Sequence, residues 1–509
     1  MNNTVSNNKR IAKNTLFMYM RMFLVMLISL FTVRVLLRIL GVEDYGLYNA
    51  IGGVVTSLTF VSNTLAAASQ RFFSFYIGKG DRANLEKSFS IIFLTYVIVI
   101  ILLVLVAETV GLWFVFHNMT FPEESAQSVM WVYQMAIATM ICSLLSNPYQ
   151  ALIISHEDMN VYASISIIEV ILKMGIVFLL TFIPFDKLSL YSILHFFVFL
   201  GVGVAYVVIC IRRYSESRLS FVWDKTMFRE LFSYSSWSLF GSVAGMCNTQ
   251  GINILLNIFF GPIANAAYSI SAQVSVAVNQ FGNSFFSAVR PALIKSYAGC
   301  EYDYMNKLFF LSNKVLFLLM FIVILPIFVE TRHILELWLG NVENYMVEFT
   351  RLSMIYTFLI CFSNPITTII QAANKVKKYH LVVDGFSLMI LPIVYLLFKF
   401  GCPPIFAYIT TVGVFACAHF LRLVILKSVI LFSPKHYIFK CIFPIIIAVL
   451  LSTIISKYTM VIDTSNMMLS TLCNCTIGVL IAAGCGYMTV FTSDERRMVR
   501  KLITDKFIK

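Results

Sequence analysis

Arginines, carboxylates and amides recur at helical spacing inside stretches of this chain that are otherwise apolar. Arg21 lies about six residues into the first such stretch. Its planar guanidinium fork suits phosphate oxygens; equally, it can snorkel to lipid headgroups. Arg34 and Arg38 are one turn apart and share a face near the far end of the same stretch. Arg71 and Arg290 close two later stretches, where they serve either to draw an anion into a cavity mouth or to anchor a helix end. Glu169 and Lys173 are four apart in the favourable order, a pair that neutralises itself on insertion or couples an ion. Charge at bilayer depth costs about 2.5–3.5 kcal/mol on insertion scales, so each of these residues needs a partner or a role.

Uncharged polar residues form stripes. Gln250, Asn253 and Asn257 follow one helical face; Ser275, Asn279, Asn283 and Ser287 follow another; Thr56, Thr59, Asn63 and Gln70 a third. As cavity lining they suit sugar hydroxyls; as structure they are interhelical hydrogen bonds. Pro148 and Pro365 read as helix terminators. Glu108, Asp384 and Arg422 fall near the ends of apolar stretches and read as interfacial. The pattern holds no phosphate-binding glycine loop, catalytic triad or metal-ligand cluster, and Cys473 and Cys475 read as membrane filler. The expectation is a non-enzyme with no cofactor, no metal and no catalytic residues.

The elements that place these groups are set by composition. Of 509 residues, 59% are hydrophobic and 12% charged, against about 25% charged in a soluble protein. Spanning helices need roughly 20 apolar residues, and in lipid only a helix satisfies its own backbone. About fourteen spans result, near 15–38, 46–69, 89–112, 128–150, 162–183, 189–211, 232–258, 264–287, 309–329, 350–371, 381–399, 403–426, 438–456 and 467–491. The first is longer than a signal-peptide core and reads as retained.

The net charge is +13, but the basic residues alternate between loops, so they read as a membrane-orientation signal and not as a nucleic-acid site. Lys9, Arg10 and Lys13 begin the basic set. Arg82 and Lys87, Arg212 to Arg229, Lys295 to Lys314, Lys375 to Lys378, Lys427 to Lys440 and the tail from Arg496 continue it. Glu123, Glu124, Glu336, Glu343 and Glu348 lie on the opposite set. Both termini are therefore expected in the cytoplasm of a bacterial inner membrane. The loop of His156, Glu157 and Asp158 has no Lys or Arg and adds nothing to that orientation.

The chain also repeats. Gly41, Tyr48, Asn63, Lys87 and Phe89 recur at one constant offset as Gly261, Tyr268, Asn283, Lys307 and Phe309. Asn147, Pro148 and Tyr162 recur at a slightly shorter one as Asn364, Pro365 and Tyr379. Six spans separate the copies, which makes the repeat parallel. The expected organisation is a six-helix lobe at 1–211, a linker at 212–231, a second six-helix lobe at 232–426, and two further helices with a basic tail at 427–509.

The segment from Arg38 through Leu40-Gly41, Tyr45-Gly46 and Tyr48, followed by Ser69-Gln70-Arg71-Phe72-Phe73 and Gly78-Lys79-Gly80-Asp81, resembles bacterial polysaccharide flippases. Their superfamily also holds multidrug exporters and lipid II flippases. With topology and repeat, the resemblance covers nearly the whole chain. It implies a V-shaped pair of lobes that rock between inward-open and outward-open states. It also implies a cargo of undecaprenyl-pyrophosphate-linked oligosaccharide, as in O-antigen and lipopolysaccharide assembly, carried to the periplasmic leaflet. Partners would be that lipid-linked oligosaccharide and membrane lipid, with the protein a monomer near glycosyltransferases and a polymerase. Many drug-exporting relatives carry an acid in the first helix; residues 15–38 have none. The cavity candidates are then Arg21, Arg34, Arg71, Arg290, Asn63, Gln250, Asn253, Asn279 and Asn283, with Glu169 and Lys173 for coupling. A cation-coupled drug exporter and a lipid II flippase are the alternative functions.

Reporter fusions test the orientation. Fusions at Glu124 and Glu343 should report the outer side and one at Lys509 the inner side; Glu124 and Lys509 on the same side would contradict the topology.

Overall fold

A computed structural model describes the backbone of residues 2–497 apart from 59, 119–125, 184, 220–223, 340–341, 343, 431, 461–465 and 494. Glu123, Glu124, Glu343 and the tail residues Arg500, Lys501, Lys506 and Lys509 lie outside the described residues, as do the side chains of Arg34, Thr56, Thr59 and Asn257. The described elements are helical, with no strand among them. In chain order they are α1 (Asn2–Leu58), α2 (Phe60–Lys79), α3 (Arg82–His117), α4 (Ala126–Ser155), α5 (Met159–Leu179), α6 (Lys187–Arg213), α7 (Lys225–Ala298), α8 (Tyr302–Val329), α9 (Met346–Ala372), α10 (Val376–Lys399), α11 (Phe406–Lys427), α12 (Pro434–Thr459) and α13 (Met467–Val490). A short helix, Thr331–Leu339, follows α8.

Among the described residues, twelve helices are long and apolar enough to cross a bilayer, and they coincide with twelve of the expected spans. The chain is a multi-pass membrane protein. The other two expected spans, 46–69 and 264–287, are helical where the structure describes them. Helical hydrogen bonding runs through Gly41–Tyr48, where a loop is expected. That segment contains glycines but no proline, and a helical glycine costs only about 1 kcal/mol. At the matching place in α7 the helix breaks: Gly261 has φ 78° and ψ −172°, a conformation that a side chain would strain.

Two compact units emerge, one of Arg10–Leu239 and one of Phe240–Lys509 with Met1–Lys9. In the first, α4 packs on α2 and α6. Leu36 and Leu40 of α1, Ile176 and Val177 of α5 and Tyr191 of α6 make a buried cluster. In the second, α8 and α9 are the most buried spans. Helices α12 and α13 close over α8 through Phe317, Phe321, Ile445, Ala448 and Ala482. Large apolar side chains point outward instead, among them Ile101 and Leu105 on α3, Ile168 and Leu172 on α5, Val424 on α11 and Leu480 on α13. Such a surface is tolerable only against lipid.

The two units end their helices alike. Helix α2 closes on Gly80 (φ 68°) and α7 on Cys300 (φ 57°), at the offset that relates Gly41 to Gly261. Helix α4 closes on Glu157 (φ 66°) and α9 on Asn374 (φ 57°), at the offset that relates the two prolines. Pro148 and Pro365 do not terminate their helices, contrary to expectation. Both lie buried inside them, and the left-handed residues beyond make the stop.

Glutamate is an unusual choice for a left-handed site, and Glu157 is held there by neighbours. Its carboxylate meets Arg10 at 2.8 Å, and its carbonyl accepts from Asn14 Nδ2 at 2.9 Å. Beside it, His156 Nε2 lies 2.6 Å from Glu216, and the Tyr214 hydroxyl donates to Asp158. The His156 hydrogen bond holds the Glu216 carboxyl below the usual carboxylate range despite its burial. The loop lacks cations of its own because Arg10 and Arg213 reach it from other helices.

Lys314 also departs from expectation. It reads as one of the basic loop residues, but it is 2% exposed inside α8 and pairs with Glu495 at 2.7 Å. Burial by itself would raise the Glu495 carboxyl. The hydrogen bonds from Lys314 and from the Thr492 backbone outweigh that and hold it below the ordinary value. A depressed carboxylate stabilises the fold above its ordinary pKa of about 4.3 and stops doing so as pH falls through the folded value. Glu495→Gln should therefore cost on the order of 3 kcal/mol, by stranding the Lys314 charge. Melting of the purified protein should show the deficit at about pH 7 and its decline as the pH falls below the ordinary carboxylate range; a deficit that stays constant down the acid range would contradict the pairing.

Candidate substrate cavities

Each unit holds a cavity. The first, of about 470 Å³, is lined by Tyr48, Gly52 and Val55 of α1, Ser62 and Asn63 of α2, Thr139, Ser143 and Asn147 of α4, and Ser192, His195 and Phe199 of α6. The second, of about 400 Å³, is lined by Asn248, Thr249, Tyr268, Ser275 and Asn279 of α7, Tyr356 of α9, Asp384 and Ser387 of α10, and Tyr408, Thr411, Phe415 and Arg422 of α11. The walls correspond. Tyr48, Gly52 and Val55 match Tyr268, Ala272 and Ser275 at the offset of Gly41 and Gly261. Ser192, His195 and Phe199 match Tyr408, Thr411 and Phe415, again at a single offset.

The two expected spans outside the twelve, 46–69 and 264–287, contribute to the cavity walls alongside helices that are among the twelve. Polar residues of these two spans, Ser62, Asn63, Ser275 and Asn279, face cavity space, which is where a membrane helix can keep them. In the first cavity, Tyr48 meets His195 at 3.5 Å, and Asn147 Nδ2 donates to Ser62 at 2.6 Å. In the second, Ser275 bonds Thr357 at 2.5 Å, Ser271 bonds Tyr408 at 2.7 Å, and Asn248 Nδ2 donates to the Ser387 carbonyl at 3.1 Å. The first wall is uncharged; the second includes Arg422 and Asp384.

The candidate residues divide accordingly. Asn63 lines the first cavity and Asn279 the second. Gln250 and Asn283 are exposed and Asn253 half-buried, and the second wall takes Asn248 and Thr249 from the same helix instead. Arg21 is half-buried with its guanidinium 4.8 Å from the Tyr162 ring, and its Nε is buried with no hydrogen-bond partner. Arg71 is buried among the rings of Phe72, Phe75 and Tyr234. Arg290 donates to Gln371 Oε1 at 3.0 Å. Glu169 and Lys173 pair at 2.6 Å, and Lys173 sits 4.1 Å from the Phe199 ring that lines the first cavity.

Asp384 and Arg422, read as interfacial, are instead cavity groups, and Arg422 is 5% exposed. Nearness to a helix end along the sequence does not show which way a side chain points. His195, Asn147, Asn248 and Tyr356 join the walls without having stood out among the sequence candidates. The shared offset of Ser192, His195 and Phe199 with Tyr408, Thr411 and Phe415 is the signal that finds the α6 and α11 walls.

The fold is that of a class of membrane transporters. A crystal structure of a MATE mutant aligns with TM-score 0.72 at 11% identity, over 83% of this chain and 96% of that one. An outward-facing multidrug resistance MATE family transporter of the MOP superfamily aligns at 0.71 and 11%, over 83% and 95%. A MOP superfamily transporter from Pyrococcus furiosus, reported with a binding pocket of reverse polarity, aligns at 0.68 and 12%, over 83% and 95%. No curated protein matches the sequence. The family model described as polysaccharide biosynthesis protein matches residues 11–297, and the chain belongs to that family.

A double-mutant cycle tests the α5 ion pair. Glu169→Ala or Lys173→Ala alone should lower the yield of folded protein several-fold, because each leaves a charge without its partner, and the double variant should recover most of it. Additive losses would contradict the pairing.

Proposed function

We propose that the protein translocates an undecaprenyl-pyrophosphate-linked oligosaccharide from the cytoplasmic to the periplasmic leaflet by alternating access, both termini being cytoplasmic. The observation that carries this reading is the pair of cavities, each with hydroxyl and amide groups on its wall, in a membrane-spanning member of the polysaccharide biosynthesis family. Hydroxyl, amide and imidazole groups such as Ser143, Asn147, Asn279 and His195 supply the donors and acceptors that sugar hydroxyls require. A guanidinium in each unit, Arg21 in the first and Arg422 in the second, suits the pyrophosphate. O-antigen or another surface polysaccharide is the destination of such a cargo. A drug exporter for cations would present free carboxylates to its cavities, whereas the carboxylate on these walls, Asp384, is paired with His380 beside an arginine and amides.

Arg21 is the sharpest test. Its Nε is buried without a partner, and its guanidinium rests on the Tyr162 ring, which leaves hydrogen-bonding capacity for a phosphate. Arg21→Ala should abolish glycan export in a strain lacking the native gene while leaving protein levels in the membrane unchanged. Arg21→Lys should retain part of the export, since charge survives and the bidentate fork does not. Normal export by Arg21→Ala would show that Arg21 only anchors its helix.

A further inference from the structure

The second cavity differs from the first in holding a guanidinium that the protein itself does not complete. Arg422 is 5% exposed. Its Nε donates to the Tyr379 hydroxyl at 3.1 Å, and its guanidinium carbon lies 5.6 Å from the Phe415 ring centre. Among the described residues no other hydrogen bond and no carboxylate within 4.0 Å engages it. A guanidinium has five N–H donors, so four remain, on a side chain that lines the cavity. The carboxylate of the same wall, Asp384, is taken by His380, whose Nδ1 lies 2.5 Å from its Oδ2. A buried cation in that condition is costly unless a ligand completes it.

The first unit builds the same junction by another route. Tyr162 and Tyr379 are equivalent positions of the repeat, at the offset that relates Pro148 to Pro365. Tyr162 carries the guanidinium of Arg21 from α1; Tyr379 carries that of Arg422 from α11. The position that matches Arg21, at the offset of Gly41 and Gly261, is Gly241, and a Cβ there would collide with His380 and Asp384. Helix α7 has no room for a side chain at that point, and α11 supplies the charge. Each unit thus keeps one cation against its matched tyrosine although the helix that contributes it differs. Anchoring of a helix end does not require that.

We propose that the cavity in the second unit binds an anionic oxygen group, a phosphate or a carboxylate, anchored by Arg422 with Tyr356 and Asn279 as flanking donors. Both flanking residues line the cavity, and Tyr356 lies within the electrostatic reach of Arg422. A space of about 400 Å³ accommodates a diphosphate or one acidic sugar residue. The proposal deepens the flippase reading and rests on it for the source of the anion, which is either the pyrophosphate headgroup or a uronic-acid-type sugar of the glycan.

The test uses the purified full-length protein in nanodiscs of uncharged lipid, titrated calorimetrically with inorganic pyrophosphate and, separately, with methyl glucuronide. The expected result is saturable binding of at least one probe, weakened about tenfold or more by Arg422→Gln and partly restored in Arg422→Lys. Asp384→Asn removes the opposing charge from the wall and should bind at least as tightly as the wild type. Preference for pyrophosphate assigns the site to the headgroup; preference for the glucuronide assigns it to an acidic sugar. Unchanged affinity in Arg422→Gln, saturable binding of neither probe, or weaker binding by Asp384→Asn would overturn the proposal. If Arg422→Gln does not fold, Arg422→Lys and Asp384→Asn decide: a Lys variant as tight as the wild type, or a weakened Asn variant, overturns it. Binding is read without transport, so a failure here leaves the export phenotype of Arg21→Ala to judge the flippase reading separately.

Discussion

The free-energy cost of an unsatisfied polar group in hydrocarbon governs this molecule from backbone to site. It makes each long apolar segment helical, because only a helix pairs its own amides within one segment. It sends leucine, isoleucine and phenylalanine outward, as at Leu105, Leu172 and Leu480. It also confines polarity to places where a partner or a cavity receives it. Glu169 has Lys173, Lys314 has Glu495 and Asp384 has His380. Polar residues of α1, α2 and α7 have the two cavities.

The same constraint explains what was legible in the sequence. Spans are read from composition because composition is what lipid selects, and twelve expected spans coincide with helices in the structure. The repeat is legible in Gly41, Tyr48, Pro148 and their copies. The geometry adds pairs that residue identity hides: Gly80 with Cys300 and Glu157 with Asn374 share a backbone conformation and not a side chain. A left-handed helix end can be filled by different residues when local contacts offset the small strain, as Arg10 and Asn14 do for Glu157.

What stays hidden in the sequence is direction. A stripe of amides on α7 predicts a polar face, but Asn248 and Gln250, two residues apart, lie on nearly opposite faces, and the structure turns Asn248 to the cavity. Arg422 lies five residues from the end of α11, and position alone makes it an anchor; packing against Tyr379 and Phe415 turns it inward. Lys314 reads as a loop cation because its partner, Glu495, lies far along the chain. Contacts of high sequence separation set these orientations, and no local pattern encodes them.

The chain belongs to the polysaccharide biosynthesis family and shares the fold of solved membrane transporters, and the cargo proposed for it is a glycan with an anionic group. Reconstitution measures that directly. Purified protein in proteoliposomes is given a polyprenyl-pyrophosphate-linked oligosaccharide in both leaflets, and a membrane-impermeant glycosidase reads how much becomes accessible outside. Protein-containing vesicles should expose nearly all of the glycan to the enzyme, while protein-free vesicles expose about the outer half. Equal exposure in the two preparations, with the reconstituted protein folded, would contradict the account.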